Sequence, residues 1–97
     1  MPVVATRDDL ISGEMKRIDL QGSYVGVVNV DGAFFAFTDT CPHDGASLSL
    51  GSIEGTVLTC PKDGSQFDLN SGNVVKGPAF KRIRTYRIQI KGDDLYI

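Results

Sequence analysis

The chain is predicted to be all-β, a small antiparallel sandwich or barrel, on three observations. Short β-prone runs recur along its length, turn signals separate them closely, and nothing longer than one turn reads as helix. Met15 to Leu20 places Ile18 and Leu20 on one face. Tyr24 to Val30 is rich in valine and Ala33 to Phe37 is aromatic, with Asp31-Gly32 between them as a two-residue hairpin turn that accepts positive φ at both positions. Thr56 to Cys60 and Gln66 to Leu69 are further strands, and Asn70-Ser71-Gly72-Asn73 turns the chain into Val74-Val75. Along Ile83 to Ile90 the apolar phase changes, since Ile83 and Thr85 share one face while Ile88 and Ile90 fall on the other. A bulge near Tyr86 is expected. Lys91-Gly92-Asp93-Asp94 turns into a last strand, Leu95 to Ile97. Near the start, Arg7 to Ile11 is expected to form one helical turn capped by Thr6 or Asp8.

Bulk properties narrow the function. Ninety-seven residues suffice for one modest core, so a single domain over 1–97 is expected. A net charge of −2 argues against nucleic acid or an anionic membrane as a general partner. The basic run Lys81, Arg82, Arg84 and Arg87 reads as the solvated face of a strand, because no stacking platform accompanies it. No apolar run has the roughly 18 residues of a membrane span, and Met1-Pro2-Val3 opens no signal-like segment, which predicts a cytoplasmic protein. Two cysteines make no disulfide framework, which leaves metal binding or simple burial.

Those two cysteines and the only histidine lie in two near-copies of one loop, Cys41-Pro42-His43-Asp44-Gly45 and Cys60-Pro61-Lys62-Asp63-Gly64, 19 residues apart. Every soft metal ligand of the chain is therefore in these loops. Each follows a β-prone segment, and its Pro and Gly stiffen it into an excursion from a strand end. Two such tips related by local pseudo-symmetry could clamp a compact metal centre through Cys41, His43, Cys60 and Asp63. The bland alternative makes the cysteines small buried hydrophobes, His43 a surface imidazole and the Asp-Gly pairs ordinary turns.

Cys41-x-His43, sixteen intervening residues, then Cys60-x-x-Asp63 followed by Gly64-Ser65 resembles the signature of Rieske [2Fe–2S] proteins. The flanks are similar too: Thr38-Asp39-Thr40 and Ala46-Ser47-Leu48-Ser49 around the first box, Gln66-Phe67-Asp68 and Ser71-Gly72 in the second, and Gly77-Pro78-Ala79 in the proline loop. The resemblance covers almost the whole chain. It implies a Rieske-like fold whose cluster-binding part spans about 38–80. Cys41 and Cys60 would hold the inner iron as thiolates and His43 the outer one. The family's second histidine falls on Asp63, and its usual aromatic or apolar neighbour on Lys62.

Aspartate reaches about as far from the backbone as an imidazole Nδ1, since both ligating atoms are bonded to Cγ. Its charge is the larger change. Two ferric ions, two sulfides and two thiolates cancel, so an ionised Asp63 leaves the oxidised centre with one negative charge. The potential is expected at or below the low end of the Rieske range of about −150 to +300 mV. A carboxylate is also a harder ligand, so a more labile cluster is expected. The resemblance places Ser65 where a hydroxyl bonds a cluster sulfur, and Phe67 where high-potential members carry tyrosine. Gly45, Gly64 and Pro78 would complete the cluster's surroundings.

The function implied is that of an electron-carrying ferredoxin, not an enzyme by itself, passing one electron from a flavin-dependent ferredoxin reductase to a terminal oxygenase or another redox enzyme. A monomer is expected. The alternative is a cluster-free or zinc-bound Rieske-fold small subunit of a larger reductase, of the nitrite-reductase type. The acids Asp39, Asp44, Glu54, Asp63 and Asp68, against Lys62 alone, suggest a mildly acidic docking face around the site.

Overall fold

The computed structural model describes residues 3–20, 22–42, 45–79 and 81–97. Eleven short strands form three antiparallel sheets among these residues: β1 Val3–Thr6, β2 Met15–Leu20, β3 Ser23–Val30, β4 Ala33–Thr38, β5 Ser52–Glu54, β6 Val57–Thr59, β7 Gln66–Asp68, β8 Val74–Lys76, β9 Thr85–Tyr86, β10 Gln89–Lys91 and β11 Asp94–Tyr96. The sheet orders are β2-β3-β4-β9, β5-β6-β7-β8 and β1-β11-β10. Helix is confined to two single 3-10 turns, Arg7–Asp9 and Leu48–Leu50. The first carries the expected cap at Thr6, whose N–H donates to the Asp9 carboxylate at 3.0 Å.

Strand β3 organises the interior. It is buried on both faces from Val25 to Asn29, so its valines run without alternation. Val28 joins Phe37, Leu48, Leu58, Phe67, Leu69, Ala79 and Ile83 in one core, together with Cys41 and Cys60. Val25 and Val27 join Val4, Leu10, Ala36 and Leu95 in the other. Gly26 pairs with Phe37 across β3 and β4, and a Cβ at Gly26 would run into the Phe37 ring. The missing side chain thus makes room for Phe37, one of two fully buried phenylalanines in the core cluster that includes both cysteines.

The β3–β4 hairpin turns through Asp31 (φ 51°) and Gly32 (φ 91°), as the Asp-Gly pair predicts. The run Ile83 to Ile90 does not bulge within one strand. It breaks into β9, paired with β4, and β10, paired with β11 in another sheet. The phase change in the sequence is this switch of sheets, because the two halves bury against different neighbours. Strands β1 and β5, which the sequence pattern does not announce, complete sheet edges.

Candidate metal centre

The two cysteine loops are one backbone turn used twice. In the first, Cys41 N–H donates to the Ala46 carbonyl and Gly45 N–H to the Cys41 carbonyl, both at 2.9 Å. In the second, Cys60 N–H donates to Ser65 at 2.8 Å and Gly64 N–H to Cys60 at 3.2 Å. Gly45 and Gly64 both have φ 78°, a left-handed value that closes each turn and suits glycine. Loop one leaves the end of β4, and loop two joins β6 to β7.

This symmetry brings three ligand atoms together. The sulfurs of Cys41 and Cys60 and a carboxylate oxygen of Asp63 all lie within 4.8 Å of one another. The cysteines are only 1% and 2% exposed, and neither is in a disulfide. Burial pushes the Cys60 thiol up to about 11, while the backbone N–H groups of Asp63 and Lys62 pull it down. Contacts with the Cys41 and Asp63 side chains act in the same direction as burial and are part of that net rise. A thiol that resists ionisation, yet has backbone donors aimed at its sulfur, is suited to a bound cation, which replaces the proton and leaves those donors to support the thiolate. Two buried thiols with a carboxylate beside them fit an iron–sulfur or zinc centre. In metal-free protein, an ultraviolet thiolate titration should show one cysteine ionising near 11, above an ordinary thiol; a midpoint below 9 would contradict this burial.

His43 and Asp44 lie outside the described residues. Of the other predicted positions, Lys62 is exposed at the tip of loop two. Ser65 is fully buried, and its Oγ accepts the Ala79 N–H at 2.9 Å, tying the 77–79 segment with Pro78 against loop two. Phe67 is fully buried in the core below. One Asp63 oxygen accepts the Ser65 N–H at 2.8 Å, which holds the carboxylate on the inner side of its turn.

A group that sequence reasoning placed on the surface proves to be the anchor of loop one. The Asp39 side chain is 0% exposed. It accepts Ser47 Oγ at 2.6 Å, Ser49 Oγ at 2.9 Å and the Ser49 N–H. Arg17 of β2 reaches it at 3.3 Å while stacking on Tyr24, 3.6 Å from the ring centre. The carboxylate therefore clips together both flanks of the loop that carries Cys41. The local signal was present, an Asp two residues before Cys41 and a Ser-x-Ser after it, but burial was not legible from it.

The Rieske [2Fe-2S] domain model matches residues 1–87. This chain belongs to the Rieske [2Fe–2S] family. It is similar to the ferredoxin component of biphenyl 2,3-dioxygenase from Rhodococcus jostii (strain RHA1), 34% identical over 94 residues, which are 97% of this chain and 88% of that one. Its Rieske fold superposes on a ferredoxin of Sphingomonas yanoikuyae B1 with a TM-score of 0.94 and 28% identity, covering 99% of this chain and 95% of that one. A second solved relative comes from the complex of reduced oxygenase and oxidised ferredoxin in carbazole 1,9a-dioxygenase. There the TM-score is 0.93 and the identity 29%, over 98% of this chain and 89% of that one. No helix among the described residues of this Rieske chain is long and apolar enough to cross a membrane.

Proposed function

We propose that this chain is the ferredoxin of a dioxygenase system, carrying one electron to a terminal oxygenase, with its [2Fe–2S] cluster held by Cys41, His43, Cys60 and Asp63. The observation that carries the ligand set is the pair of matching turns, which places two buried sulfurs and the Asp63 carboxylate side by side. When bound, the cluster supplies a reversible one-electron step. Cys41 and Cys60 hold it as thiolates from the core side, where the apolar layer of Leu48, Leu58 and Phe67 excludes water. Backbone N–H groups of loop two stabilise the Cys60 thiolate. Asp63 adds a third anionic ligand beside the two cysteines, and His43 completes the set from loop one. Ser65, with its oxygen already accepting from Ala79, keeps its own proton for donation to a sulfur.

The upstream donor in this reading is a flavin-dependent reductase, and the protein acts as a cytoplasmic monomer. Residues 38–80 form the ligand-bearing part of a single domain, and the other strands support it. Iron and acid-labile sulfide per chain, measured after anaerobic purification, test the assignment. About two of each are expected. Zinc in place of iron, or intact folded protein with neither, would replace the carrier by the zinc-bound or cluster-free small-subunit reading.

A further inference from the structure

A net charge of −2 conceals two regions of opposite sign. Residues 60–87 hold Lys62, Lys76, Lys81, Arg82, Arg84 and Arg87 against only Asp63 and Asp68, whereas the rest of the chain holds four basic residues against ten acidic ones. All six cations are exposed. Three of the five acids counted toward an acidic docking face lie elsewhere after folding, while Asp63 stays in loop two and Asp44 lies outside the described residues. Asp39 is buried and bonded to Arg17 and two serines. Glu54 and Asp68 lie at the far end of their sheet. Loop two joins β6 to β7, while Glu54 pairs with Val57 and Val57 with Asp68 at the opposite ends of those strands. Strand β8 runs back toward loop two, and Lys76 pairs with Gln66, the residue after Ser65. Lys81 is two residues beyond Ala79, which is bonded to Ser65. Lys62 lies within loop two itself.

Three lysines thus rim the second ligand loop. Among the described residues the one ion pair is Arg17–Asp39, which involves none of these lysines. Arg82 and Arg84 differ, being held to the fold by the Ser71 carbonyl and the Tyr86 ring.

We propose that this basic rim, Lys62, Lys76 and Lys81, docks an acidic face of the terminal oxygenase and steers its approach to the ligand loops. The inference rests on the electron-carrier reading for the identity of the partner. Opposite charges concentrated at the point of electron exit raise the encounter rate and align the complex, and both effects weaken as salt rises. The same rim offsets the negative charge that Asp63 adds to the centre.

Two measurements on the full chain test it. The reduced protein is oxidised by hexacyanoferrate(III), which accepts one electron from the cluster, and separately by a tripositive cobalt chelate. The anionic oxidant should slow at least about threefold between about 20 and about 500 mM salt, and the cationic one should speed up. The K62E/K76E/K81E variant should reverse both trends. On a sulfopropyl column near neutral pH, the wild-type chain should be retained at low salt despite its pI of about 5.1, and the variant should flow through. Flow-through of the wild-type chain, or a hexacyanoferrate rate flat in salt, overturns the proposal. Protein that takes up no electron at all counts against the carrier reading, and the column result then decides the rim.

Discussion

Replacing Asp63 with histidine is expected to raise the midpoint potential of the holoprotein by up to about 170 mV. A unit charge about 4 Å from the redox centre interacts by about 4 kcal/mol at an effective dielectric constant of about 20, which corresponds to that shift for one electron. The half-buried position of Asp63 and the lysine rim will screen part of it, so a shift of at least about 50 mV is the working threshold. The variant should also lose iron more slowly to a chelator, because imidazole is the softer ligand. Asp63→Ala should give the opposite phenotype, with iron lost during purification. Protein-film voltammetry of the two holoproteins and a chelator time course provide the readouts. An Asp63→His potential within about 20 mV of wild type would show that the carboxylate does not ligate the cluster.

Asp39→Ala should cost about 3–5 kcal/mol of folding stability, one of the largest losses from any single polar substitution here. Truncation leaves Ser47 Oγ, Ser49 Oγ and the Ser49 N–H without their acceptor around a carboxylate that is itself fully buried. It also frees Arg17, but that side chain is 47% exposed and solvent already weakens its share of the pair. Arg17→Met should therefore cost only about 1 kcal/mol. For a chain of this size, Asp39→Ala should lower the melting temperature by more than about 10 °C, and Arg17→Met by much less. Equal effects from the two substitutions would mean that the ion pair, not the serine cradle, holds loop one. Chelator-induced iron release should accelerate in the same order, since the clip fixes both flanks of the Cys41 loop.

Much of the ligand region was legible because its signals are local. The Cys-Pro and Asp-Gly steps of the two loops specify tight turns, and the left-handed φ values at Gly45 and Gly64 are what such turns require. Asp31-Gly32 announced its hairpin for the same reason. Strand β1 gave no such sign, because Val3–Thr6 is a strand only through pairing with β11 at the other end of the chain. The three residues of β5 are too few to establish an alternation. The phase change after Ile83 was visible, but whether it marked a bulge or a change of sheet depended on which neighbours were in reach.

Asp39 and the lysines show the same division in electrostatics. Counting acids near the ligands treated Asp39, Glu54 and Asp68 alike. Folding buried the first among serines and carried the other two to the far end of their sheet, while β8 returned Lys76 to the ligand loops. The sequence by itself determined the ligand types, their turns and the all-β class, because these follow from side-chain chemistry and backbone conformations confined to a few consecutive residues. Only the tertiary structure decided which strands share a sheet, which carboxylate is buried, and that Lys76 returns to the second ligand loop, because each depends on residues that are distant along the chain and adjacent only after packing.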